Sequence, residues 1–115
     1  MKKTILSFIL FLFMITPSFS SELIDVVNTF QADKYALQNF YSNKESEEYY
    51  LRFSKFYEEW TKKVKAIDFK SLSKDGKVDY LLLQNLINKE NYFLQIEYKG
   101  YKEVASILDF SNDIT

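Results

Sequence analysis

From residue 21 to residue 115 the chain contains no proline, and glycine occurs only at positions 76 and 100. This scarcity of chain breakers narrows the choice of fold more than any other feature. An all-β domain of this size needs a turn signal about every 8–12 residues, written in glycine, proline, asparagine and aspartate. Such signals are absent here, and a few long helices with short connections fit better. Eleven phenylalanines, nine tyrosines and one tryptophan argue against disorder, because burying them offsets the entropy lost on ordering.

Periodicity supplies the helices. A first helix is expected over Glu22–Tyr41, with Ser21 able to cap it. Leu23, Val26, Val27, Phe30, Leu37 and Tyr41 form its apolar stripe, which Lys34 interrupts. The second helix carries the stronger signal. Tyr49, Phe53, Phe56, Trp60, Val64 and Ile67 step by 4, 3, 4, 4 and 3, a spacing no strand produces. Ser42 and Glu45 match a capping box in front of it. Glu48/Arg52, Glu58/Lys62 and Glu59/Lys63 are acid-before-base pairs one turn apart on the opposite face.

Asp68 to Gly76 reads as a connection, with Ser71, Ser73 and Asp75-Gly76 as turn residues. A third helix is expected from about Lys77. Val78, Leu82, Leu86 and Phe93 line one stripe, and Leu83, Ile87, Leu94, Tyr98 and Tyr101 line the adjacent one. So wide an apolar arc expects neighbours on more than one side. Gly100 is a candidate end or bend, and Asp109–Thr115 reads as loop or the approach to another element. The expected fold is all-α: about three amphipathic helices in an antiparallel bundle or hairpin, forming part of an incomplete domain.

The first twenty residues have a different character. Lys2 and Lys3 precede the apolar run Ile5–Ile15, followed by Thr16-Pro17-Ser18-Phe19-Ser20. That is the layout of a secretory signal peptide cut between Ser20 and Ser21. The apolar run is too short for a membrane span, so no stable membrane anchor is expected after cleavage, and the protein is expected to be exported, periplasmic or secreted. The mature chain then has thirteen basic and sixteen acidic residues, a net charge of −3. An acidic exported domain has no electrostatic reason to bind nucleic acid. Lys62-Lys63-Val64-Lys65 sits among acids and reads as a solvated face.

Without cysteine or histidine there is no disulfide, no usual zinc site and no imidazole chemistry. Carboxylates are the only acid–base groups in quantity. Asp75 and Asp79 lie one turn apart, and Glu90 and Glu97 two turns apart, but helical spacing alone does not make two acids converge in a cleft. The aromatic stripe of the second helix reads as core. Tyr50 and Tyr57 flank it, and their hydroxyls are the candidate ligand contacts. No catalytic, cofactor-binding or metal-binding residue is assigned in this chain.

The run Phe69-Lys70-Ser71-Leu72-Ser73-Lys74-Asp75-Gly76-Lys77-Val78-Asp79-Tyr80-Leu81-Leu82-Leu83-Gln84-Asn85 resembles the N-terminal part of the bacterial domain of unknown function 885 family. Phe56-Tyr57-Glu58-Glu59-Trp60 and Lys65-Ala66-Ile67-Asp68-Phe69 also resemble it. So does Ile107-Leu108-Asp109-Phe110, although Asp109 stands where members often have proline. The similarity spans roughly Phe30 to Ile114.

The resemblance implies a much longer, mostly helical, exported metallopeptidase-like protein. Its zinc would be held by a downstream His-Glu-x-x-Pro-Gly-His motif, which no position of this chain matches. Asp79 and Tyr80 match recurring positions of the family and are read as structural. The first expectation for function is therefore an exported N-terminal helical segment, inactive alone, whose partner is the missing C-terminal catalytic part of the same protein. The second is a complete small periplasmic helical protein that binds a partner or ligand through exposed aromatics.

Overall fold

The computed structural model of the chain describes residues 21–113. The leader expected over residues 1–20, with its cut before Ser21, lies outside the described residues. Three α-helices follow one another: α1 (Ile24–Phe40), α2 (Glu47–Lys65) and α3 (Lys74–Asp113), with a short 3-10 turn at Phe69–Ser71 before the last. The fold is all-α, and among the described residues no strand forms.

α2 and α3 make an antiparallel hairpin. The Tyr98 hydroxyl donates to Glu47 Oε1, Gln95 Nε2 donates to Ser54 Oγ and the Tyr57 hydroxyl donates to Glu90 Oε2. Residue numbers rise along one helix as they fall along the other. α1 lies along this hairpin in the direction of α3. At one end Glu22 accepts from the Ser73 backbone N–H at 3.1 Å and from its hydroxyl at 2.8 Å, and further along Lys34 pairs with Glu90.

The core is largely the aromatic stripe of α2. Tyr49, Tyr50, Phe53, Phe56, Tyr57, Trp60 and Val64 are buried, as are Phe30 of α1 and Leu83, Ile87 and Leu94 of α3. Phe30 is wholly enclosed, at 0% exposure. Its ring stacks on Phe56 with centroids 5.7 Å apart and meets Trp60 edge-on at 5.3 Å. These offset and edge-to-face contacts are the arrangements that aromatic quadrupoles favour.

Several local expectations are corrected. α2 is capped by Ser46, not by Ser42: the Ser46 hydroxyl oxygen accepts from the Tyr49 N–H at 3.2 Å. The Asn43 side chain takes the Glu45 N–H and its carbonyl takes the Ser46 hydroxyl, so a side-chain-held turn occupies the place expected for the first helical turn. α3 starts at Lys74, three residues earlier than expected, because the Ser73 hydroxyl accepts from the Gly76 N–H at 3.1 Å. Gly76 is thus a first-turn residue and not a loop residue. A β-carbon there would displace the Glu22 carboxylate, the far end of a long exposed side chain, and press on Leu72 and Ser73.

At its other end α3 passes straight through Gly100, and the loop expected from Asp109 is helix as far as Asp113. One of the two α3 stripes forms the core contact, and of the other only Leu86 packs against it. Leu83, Ile87 and Leu94 are buried and Tyr98 and Tyr101 pack beside them, whereas Val78, Leu82 and Phe93 are exposed and Leu86 is half-buried. α2 and α1 both settle on the same side of α3, which leaves its other apolar stripe open.

Candidate functional site

The polar residues that the fold brings together lie where all three helices meet. Lys34 of α1 and the Tyr57 hydroxyl of α2 both reach the Oε2 atom of Glu90 on α3, the hydroxyl at 2.8 Å. Lys34 interrupts its helix's apolar stripe because its ammonium group has this partner across the interface. Glu90 sits in the same register as Leu83, Ile87 and Leu94, so its carboxylate faces the hairpin. The side chains of Lys34 and Glu90 are 17% and 25% exposed, shielded enough for the pair to be screened less than a surface pair.

Burial pushes the Tyr57 phenol well above its ordinary value, and the hydrogen bond to the Glu90 carboxylate adds to this. Burial also raises Tyr49, with the charge of Glu97 as a lesser cause. The arrangement keeps protons on the two tyrosines, and the Glu90 carboxylate is held by both the Tyr57 hydroxyl and the Lys34 ammonium group. A phenol so raised is a poor acid at neutral pH. Chemically the cluster works as a clamp joining α1, α2 and α3. The sequence held its signal: one cation and one anion, each in the core register of an amphipathic helix.

Beside the clamp lies a groove of about 320 Å³, walled by Tyr49, Tyr57, Phe93 and Leu94 and fringed by Lys89 and Glu97. A second groove, of about 500 Å³, runs between the α1–α2 connection and the C-terminal half of α3, over Tyr50, Tyr101 and Val104. The two tyrosines expected to offer exposed hydroxyls are buried instead: Tyr50 is 7% and Tyr57 4% exposed. Tyr50 stacks on Tyr98 at 5.1 Å and tilts against Tyr101 at 5.3 Å. Both belong to the core because α2 is wrapped on two sides, by α1 and by α3.

The remaining candidates stay apart. No contact joins Asp75 to Asp79, and Glu90 is engaged with Lys34 and Tyr57 while Glu97 is exposed. Among the described residues no group of three or more acidic, histidine or cysteine side chains is placed to hold a metal ion. Of the three expected helix pairs on α2, Glu58 and Lys62 form theirs at 2.7 Å. Glu59 pairs instead with Lys55 at 3.9 Å, and Lys63 lies over the Trp60 ring at 4.4 Å. Arg52 makes no pair with Glu48, and its Nη1 atom is buried without a partner among the described residues.

Comparison with protein-family models, with curated proteins and with solved structures finds no match to this chain.

Proposed function

We propose that this chain is an exported, N-terminal helical docking segment of a longer protein resembling the domain of unknown function 885 family, with no catalysis of its own. One observation carries this reading. The core stripe of α3 outruns the helices that cover it. Leu94, Tyr98 and Tyr101 are followed at helical spacing by Val104, yet the last side-chain hydrogen bond across the hairpin joins Tyr98 to the first residue of α2. Beyond that point Val104 is 58% exposed. An apolar stripe that continues in register past its partners is a surface built to be covered.

The occupant in this reading is the downstream catalytic part of the same polypeptide. The metal chemistry that the resemblance implies belongs to that part. This chain has neither histidine nor cysteine, so its residues do not fit the zinc-binding motif, and no step of the reaction runs through them. Export rests on the N-terminal layout of two lysines, an apolar run and small residues up to Ser20. Among the described residues no helix is long and apolar enough to cross a membrane.

Reading the gene beyond codon 115 tests the proposal. An open frame that encodes the His-Glu-x-x-Pro-Gly-His motif is the expected result, and a stop codon followed by an unrelated gene overturns it. Co-expression supplies a second measure: the downstream part should suppress binding of a hydrophobic dye to this chain, with Val104→Asp weakening the association.

A further inference from the structure

We propose that the open face of α3 is a self-association seam, on which the α3 of a second copy of this chain packs antiparallel. Leu82, Leu86, Lys89, Phe93, Ile96, Gly100, Glu103 and Ile107 step by 4, 3, 4, 3, 4, 3 and 4. These positions keep a 3.5-residue step, the period of a helix that packs along a second helix, and they run along the flank of α3 beside the core stripe, with Leu86 at the inner edge packed partly against the core. Leu82, Phe93, Ile96 and Ile107 are all at least half exposed or nearly so, Ile96 being the least at 49%. This seam is distinct from the stripe of Leu94, Tyr98, Tyr101 and Val104, and it does not depend on the reading given above.

Charge selects the occupant and its direction. The seam holds two charged residues, Lys89 and Glu103, of opposite sign. Both are exposed, and neither has an ion-pair partner among the described residues. They are fourteen residues apart on one helix, about 21 Å, too far to meet within a chain. A parallel pair of copies would set lysine on lysine and glutamate on glutamate.

An antiparallel pair does the reverse. With Phe93 of each copy against Ile96 of the other, Leu82 falls opposite Ile107. Lys89 then falls opposite Gly100, one turn from Glu103 of the partner. Gly100 leaves room for this lysine, since a β-carbon built there meets nothing within 4 Å. Two unlike pairs form across the seam, one at each side of the Phe93–Ile96 crossing, and the only two polar interruptions of the repeat satisfy each other.

Sedimentation velocity on the purified chain over a wide concentration range reads the association directly. Dimer that grows with concentration is expected, and a monomer at every concentration overturns the proposal. Lys89→Glu and Glu103→Lys should each weaken dimerisation by about tenfold, and the double variant should restore it, because exchanging both charges rebuilds both pairs. These side chains are exposed, and circular dichroism of each variant confirms that the helices persist. Charge reversals that leave the dimer unchanged, or a double variant no better than the singles, overturn the assigned seam.

Direction is read separately, and the absence of native cysteine makes the probe clean. Under mild oxidation, chains with Leu82→Cys should cross-link to chains with Ile107→Cys, and Leu82→Cys alone should not cross-link to itself. Self-cross-linking of Leu82→Cys without the mixed product overturns the antiparallel arrangement.

Discussion

Tyr57 shows how a single residue ties the fold to pH. Its phenol is buried and donates to Glu90, so its ionisation lies above the ordinary 10.0. In the unfolded chain the same phenol ionises near that ordinary value. Above it the unfolded state has released a proton that the folded state still holds, so stability falls as pH rises. The contribution is fully present below pH 10.0 and is lost on the alkaline side.

Tyr49 and Tyr50, raised first by burial, and Tyr98, raised first by its hydrogen bond to Glu47, act in the same direction. Denaturant unfolding at a series of pH values should show stability declining above pH 10.0, with a shallower decline in Tyr57→Phe. At neutral pH the same variant should lose about 1–2 kcal/mol, because one hydrogen bond to a charged group is gone and Glu90 keeps Lys34. Equal alkaline slopes for the two proteins would show that Tyr57 is not held in this way.

Helix boundaries followed local chemistry that the sequence offered in more than one version. Two serines precede α2, and each can serve as a cap. Ser42 has a glutamate three residues on, yet Ser46 caps, because Asn43 folds the intervening residues into a turn held by its side chain and carbonyl. Ser46→Ala should therefore cost about 1 kcal/mol in thermal or denaturant unfolding, and Ser42→Ala should cost a few tenths at most. Comparable losses at both positions would contradict the assigned cap.

The stripe of α2 was legible at once, since its 3–4 spacing has one helical reading and all but its last residue lie within the helix as core. α3 was legible only in part. Its two apolar stripes are equal in pattern, and nothing local says which of them α2 will cover. The pairing of Tyr57 with Glu90 and of Glu47 with Tyr98 decides it, and those contacts are 33 and 51 residues apart in sequence.

For the whole molecule, the question is what unites three helices into one body. α2 and α3 share a long hairpin, whereas α1 and the residues leading into it are held at three places: Glu22 on Ser73, Phe30 among Phe56 and Trp60, and Lys34 on Glu90. Phe30 is the apolar one of the three and is wholly enclosed. Phe30→Ala should cost about 3–5 kcal/mol, the range for emptying a phenylalanine-sized core site. Hydrogen exchange should show α1 losing protection well before the α2–α3 hairpin. If all three helices instead lose protection together, α1 is an integral part of one cooperative unit.

The amino-acid sequence by itself determined the helical class, the amphipathic register of each helix and the absence of histidine and cysteine chemistry. All three follow from residue spacing and composition, which act locally or by simple exclusion. Tertiary structure alone decided which α3 stripe is core, that Lys34 is a clamp residue and not a flaw in its stripe, and that Tyr50 and Tyr57 are enclosed. Each of those outcomes depends on which helix lies across which. An amphipathic pattern states that a face wants a partner, but the partner is chosen by long-range packing and by the few polar groups that must find one another across it.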